Sequence, residues 1–177
     1  MRTRYKICEP ESPHFITCTT VEWIPIFTRR PYFDIIINAL SYCRQNKGLK
    51  IFAYVILDNH IHLLVAAEQL SKIIKEFKSF TAREIIHQAK KEKKGWLLSQ
   101  LAFHKKRYGL DSKYQVWQEG FHPKMITSDE MLEQKAAYIH QNPVRIGLVT
   151  KEEDWFYSSA GNFLGLPGPL EIDAVEG

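Results

Sequence analysis

The chain has 177 residues, 45% of them hydrophobic and 25% charged, which suits one globular domain with a full core. No apolar run approaches the roughly 20 residues of a membrane-spanning helix, and the basic start MRTRYKICEPES is not followed by the apolar stretch of a signal peptide. Cys8, Cys18 and Cys43 are odd in number and lack a CxxC spacing, which argues against a disulfide framework or a cysteine metal site and for a reducing, cytoplasmic setting.

The polar first dozen residues read as an extended arm. Phe15 to Val21 (FITCTTV) is aromatic and β-branched, a first strand. Pro31 suits the first turn of a helix, Phe33, Ile36, Ile37 and Leu40 follow at helical spacing, and Gly48 ends it. Ile51 to Ala67 (IFAYVILDNHIHLLVAA) is two apolar runs around Asp58–Asn59, a pair of strands. Ser71 predicts the cap of a long helix from Lys72 to about Lys94, with an apolar stripe through Ile73, Ile74, Phe77, Phe80, Thr81, Ile85 and Ile86, broken at Gly95. Trp96 to Arg107 is a shorter helix. Tyr114 to Trp117 and Gly120 to Ile126 read as a last strand, kinked at Gly120. A helix capped by Ser128 or Asp129 runs to about Gln141 and is expected to stop at Asn142–Pro143. Residues 1–163 form one domain, and the Gly/Pro-rich, acidic end 164–177 is expected to be disordered.

This order predicts an α+β, ferredoxin-like (split βαβ) antiparallel sheet, with helices on one face and an additional C-terminal helix. Charge is uneven within it. The net charge is +4, yet Lys72 to Arg107 holds 11 Lys and Arg against 3 Glu, so the remainder is acidic. A local excess of that size points to a polyanion, although a lysine run alone is as easily a solvated face. Lys75, Lys78, Arg83, Lys90, Lys91, Lys105, Lys106 and Arg107 are the candidate phosphate contacts, and Phe77, Phe80 and Trp96 the candidate base-stacking rings.

Side chains two apart on a strand share a face, so His60 and His62 stand side by side, half of a metal site. Four residues separate Tyr138 from Asn142, which puts a phenol and an amide on one helix face. Two imidazoles, an amide oxygen and a phenol make a metal with three protein ligands beside a nucleophile. Each piece alone has a plainer reading: His-x-His is often structural, a late helical tyrosine is usually packing, and Asn-Pro is a helix stop. The remaining His87, His104, His122 and His140 have no partner at metal spacing.

YVILDNHIHLLV followed by YIHQNPVRIGLV resembles the HUH superfamily of single-tyrosine transposases, in its REP-associated branch. VWQEGFHPKMI (116–126) and WFYSSA (155–160) extend the resemblance from the first strand to about Phe163. It implies that His60, His62 and Asn142 hold Mg2+ or Mn2+. It also implies that Tyr138 attacks single-stranded, hairpin-bearing DNA to give a 5′-phosphotyrosine link, in a homodimer and without a nucleotide cofactor. Asp58 stands where this branch commonly has proline, and Ile146 where a small residue is usual; neither removes a catalytic group. Two alternatives compete. A histidine-triad nucleotide hydrolase needs a third histidine where Leu64 stands. A domesticated, non-catalytic hairpin-binding protein would keep the same residues.

Overall fold

The computed structural model describes residues 11–105 and 112–175. Its elements are β1 (His14–Thr19), α1 (Arg30–Lys47), β2 (Lys50–Ile56), β3 (His60–Ala66), α2 (Leu70–Lys91), α3 (Gly95–Phe103), β4 (Lys124–Met125), α4 (Asp129–Arg145) and a single turn α5 (Ala160–Phe163). The strands form one antiparallel sheet in the order β2-β3-β1-β4. That is the α+β, split βαβ arrangement expected from the sequence, with β3 inside the sheet and β2 at its edge.

Alternation on β3 decides what each face does. Ile61, Leu63 and Val65 join Ile16, Tyr54 and Ile56 in the core beneath α1 and α2. There they meet Ile36 and Leu40 of α1 and Ile74, Phe77 and Ile85 of α2. Each side chain of this size contributes about 1.5–3 kcal/mol by leaving water. The opposite face carries Phe15, Val55, Leu57 and Leu64, covered by Ala136 and Ile139 of α4. The helices therefore lie on both faces, α1 and α2 on one and α4 on the other.

Boundaries differ from the sequence reading where tertiary contacts intervene. Helix α2 begins at Leu70, so Ser71 lies inside it, and it ends at Lys91 before Lys93, whose φ is +53°. Helix α3 stops at Phe103, with His104 as its C-cap. Helix α4 is capped by Ser128, whose Oγ accepts the Met131 N–H at 3.1 Å. It continues through Pro143 to Arg145, where the proline removes a single N–H donor in the last turn. The expected last strand shrinks to Lys124–Met125 plus a bridge between Thr20 and Trp117. Its first part bends inward instead, and the Trp117 indole donates to Thr81 Oγ1 at 3.0 Å in the core.

The chain end also departs from expectation. Residues 164–175 fold back on the body rather than standing apart, and Leu170 is only 3% exposed. Asp173 takes two hydrogen bonds from the Arg44 guanidinium, at 3.0 and 2.9 Å, and a third from the Ile51 N–H at 2.9 Å. The Asp173 N–H returns one to Ile51 O at 2.7 Å. Composition suggested a solvated acidic tail; its acids are instead partners of a basic helix end and of an edge strand.

Candidate active site

The site grows from the register of β1 on β3. Thr17 lies opposite His62 and Phe15 opposite Leu64. Thr17 Oγ1 is 2.8 Å from His62 Nδ1. Phe15 stacks on the His62 ring, with centroids 5.2 Å apart and planes 25° from parallel. His60 meets His62 edge-on at 4.7 Å, and its own Nδ1 is 2.7 Å from Asn59 Oδ1. With Nδ1 engaged on both rings, Nε2 is the nitrogen left to face a ligand.

Burial keeps these rings neutral. His62 is 6% exposed, and desolvation, helped by His60 and Lys135, pushes its pKa down to about 3. Desolvation also lowers His60, against a smaller opposing pull from Asp58. Neutral imidazole is the form that binds metal. The Asp58 side chain is exposed, while its carbonyl accepts the N–H groups of Ile26 and Phe27 at 2.8 Å each.

Helix α4 brings the phenol from above. Tyr138 lies edge-on to His62 at 5.4 Å and to Phe15 at 5.9 Å. The helix passes Leu132 and Ala136 over Phe52 and Leu64 before reaching His62 through Tyr138. It thus travels from Leu64 toward His60. Asn142 follows Tyr138 by about one helical turn on the same side of α4. Asn142 is 7% exposed. The structure thus brings the His60 and His62 imidazoles and the Tyr138 ring together, and the imidazoles are side chains able to hold a metal.

Two cations that the sequence reading missed complete the site. Lys135 Nζ stands 4.7 Å from the Phe15 ring centre and 5.7 Å from that of Tyr138, and Arg145 Cζ is 5.2 Å from the Tyr138 ring. They sit three residues before and seven after Tyr138, on its own helical face, and that spacing is the signal that was available. Thr17 had no such signal, since only the strand register brings it to His62. Lys124, opposite Phe15 on β4, shares this face of the sheet.

The expected phosphate contacts lie elsewhere. Helix α2 packs on the other face of the sheet from Tyr138. Lys75, Arg83, Lys90 and Lys91 are exposed there, and Lys90 also lies 5.5 Å from the Tyr114 ring centre. Lys105 is half-buried after α3, and Lys106 and Arg107 fall outside the described residues. Lys78 is spent internally: its ammonium donates to Gln118 O at 2.7 Å and to Gly120 O, and burial pulls its pKa down. Of the rings proposed to stack on bases, Phe77 is core, whereas Phe80 and Trp96 are exposed. His140 is buried against Ser159 Oγ at 2.7 Å, with its pKa lowered to about 4 by desolvation.

One solved structure shares this architecture. A solved REP-associated tyrosine transposase bound to a REP hairpin is similar over 100% of this chain and 94% of its own, with a TM-score of 0.62 at 18% identity. A putative transposase from Deinococcus radiodurans aligns over 78% of this chain and 95% of its own, with a TM-score of 0.44 at 17% identity. No curated protein matches the chain. The family model described as "Transposase IS200 like" matches residues 12–142, from β1 through Asn142. The chain belongs to the IS200-like transposase family.

Proposed function

We propose that this transposase is a metal-dependent single-strand DNA endonuclease that cuts and rejoins hairpin-bearing DNA through a 5′-phosphotyrosine link. The observation carrying this reading is the meeting of Tyr138 with His62, 5.4 Å apart, beside Lys135 and Arg145. His60, His62 and Asn142 would hold Mg2+ or Mn2+. The donor types fit such an ion: the imidazoles are neutral and their Nδ1 atoms are occupied, and Asn142 would add an amide oxygen. When bound, the ion polarises the scissile phosphodiester as a Lewis acid.

The remaining chemistry belongs to the chain. Lys135 and Arg145 hold the phosphate by charge beside the phenol. Tyr138 Oη attacks phosphorus and its proton passes to solvent. The bond from phosphorus to the 3′ oxygen breaks, and that oxygen leaves as a hydroxyl after taking up a proton. The 5′ phosphate stays on Tyr138 as an ester, so a later attack by another 3′-hydroxyl rejoins strands without a nucleotide cofactor. One nucleophile per chain makes one cut, so joining two ends calls for two copies, a homodimer acting on DNA in the cytoplasm. The hairpin substrate is supported by the similar transposase solved on a REP hairpin.

The test is incubation of end-labelled hairpin DNA with the protein in Mn2+ or in EDTA. Cleavage in Mn2+ alone is the expected result. Binding without cleavage under both conditions would make the chain a hairpin-binding protein rather than a nuclease.

A further inference from the structure

On the sheet face away from Tyr138, α1 and α2 leave an open groove of about 650 Å3, within the size range of pockets that take a small organic group. Ala39, Cys43 and Phe77, all buried, form its floor. Its walls are Tyr42 from α1 and Phe80 from α2, which are 57% and 45% exposed. Two rings held this far out of the core on rigid helices contribute little to packing. At one end Lys47 and Glu76 pair with each other and cancel. Arg83, also lining the groove beside Phe80, forms no ion pair among the described residues, so its guanidinium is available next to the rings. Flat apolar faces beside an unpaired guanidinium match a nucleobase and its phosphate better than an apolar peptide, which would gain nothing from the charge.

We propose that this groove takes an unpaired nucleobase of the bound DNA, stacked on Tyr42 and Phe80, with Arg83 on the neighbouring phosphate. The proposal rests on the DNA-processing reading and adds a second place where the same DNA is gripped. Because the groove and Tyr138 are on opposite faces of the sheet, the strand between them runs around the sheet edge, and only unpaired DNA bends so sharply at low cost.

The experiment uses the full chain in EDTA, so that no strand is cut, and fluorescence anisotropy with two DNAs: a hairpin with a single-stranded extension and the same hairpin without it. Tyr42→Ala and Phe80→Ala should each weaken the extended hairpin about 5- to 150-fold, the range for losing one stacked base. Neither should change binding of the blunt hairpin, and Tyr42→Phe should bind like the native protein. Arg83→Gln should flatten the salt dependence by a slope of about 1, while the alanine variants leave it unchanged. Native affinity for the extended hairpin in both alanine variants, or equal weakening of both DNAs, would overturn the proposal and leave the nuclease reading intact. A change in sedimentation without a change in DNA binding would overturn it too, by making the groove a contact between protein chains. If the native protein binds neither DNA, the DNA-processing reading falls and this one with it.

Discussion

Thr17→Val exchanges a hydroxyl for a methyl and leaves the strand register untouched. In the tautomer able to bind metal through Nε2, the His62 Nδ1–H donates to Thr17 Oγ1 across 2.8 Å. Valine removes that acceptor from a ring only 6% exposed. An unpaired buried donor costs about 1–3 kcal/mol. The ring can escape by moving its proton to Nε2, but that blocks the ligating nitrogen. Both outcomes weaken the metal, and loss of such a partner typically costs about 10- to 100-fold in affinity. Calorimetric titration of Mn2+ should show that loss. Melting in EDTA should fall by about 2–4 °C for each kcal/mol lost. Thr17→Ser keeps the oxygen and should restore most of both. Native Mn2+ affinity in Thr17→Val would refute the argument that Thr17 sets the His62 tautomer.

Further outcomes follow from side chains with divided roles. Lys78→Met strips the ammonium from the Gln118 and Gly120 carbonyls and should cost about 1–3 kcal/mol in a denaturant titration. Lys75→Glu, on the exposed face of the same helix, should leave stability alone and lower the salt slope of DNA binding by about 1; a native slope would make that face merely solvated. The fold also keeps His62 and His140 neutral, with pKa values near 3 and 4 against the ordinary 6.5. The unfolded chain therefore binds more protons below about 6.5, and the contribution of these rings is whole above that pH and fades as pH falls. At about pH 5 each ring should cost about 2 kcal/mol relative to neutral pH, read from metal-free denaturant midpoints. A midpoint flat from about pH 7 to 5 would contradict neutral burial of both rings.

Much of this was legible because strand and helix periods are rigid rules. The spacing of His60 and His62 put both on one face of β3, and that of Tyr138 and Asn142 put both on one side of α4. Local patterning could not say how distant segments close on one another. Thr17 enters the site only through the pairing of β1 with β3. Lys78 looked like its neighbours until the 118–120 loop laid two carbonyls on it. Asp173 read as part of a solvated tail because nothing in its own segment reveals Arg44. Pro143 read as a stop, yet it lies in the last turn of α4 and costs the helix one N–H donor without ending it.

If Tyr138 carries the cleaved strand, Tyr138→Phe should abolish the chemistry and spare the scaffold. The substitution removes one oxygen and keeps the ring that meets Phe15 and His62 edge-on, so folding, Mn2+ binding and hairpin binding should persist. Native protein incubated with Mn2+ and 3′-labelled hairpin DNA should give a labelled covalent adduct on denaturing electrophoresis, because the tyrosine keeps the 5′ phosphate of the downstream strand. Tyr138→Phe should lose adduct and cleavage together; an adduct that survives in the variant would mean that the nucleophile lies elsewhere.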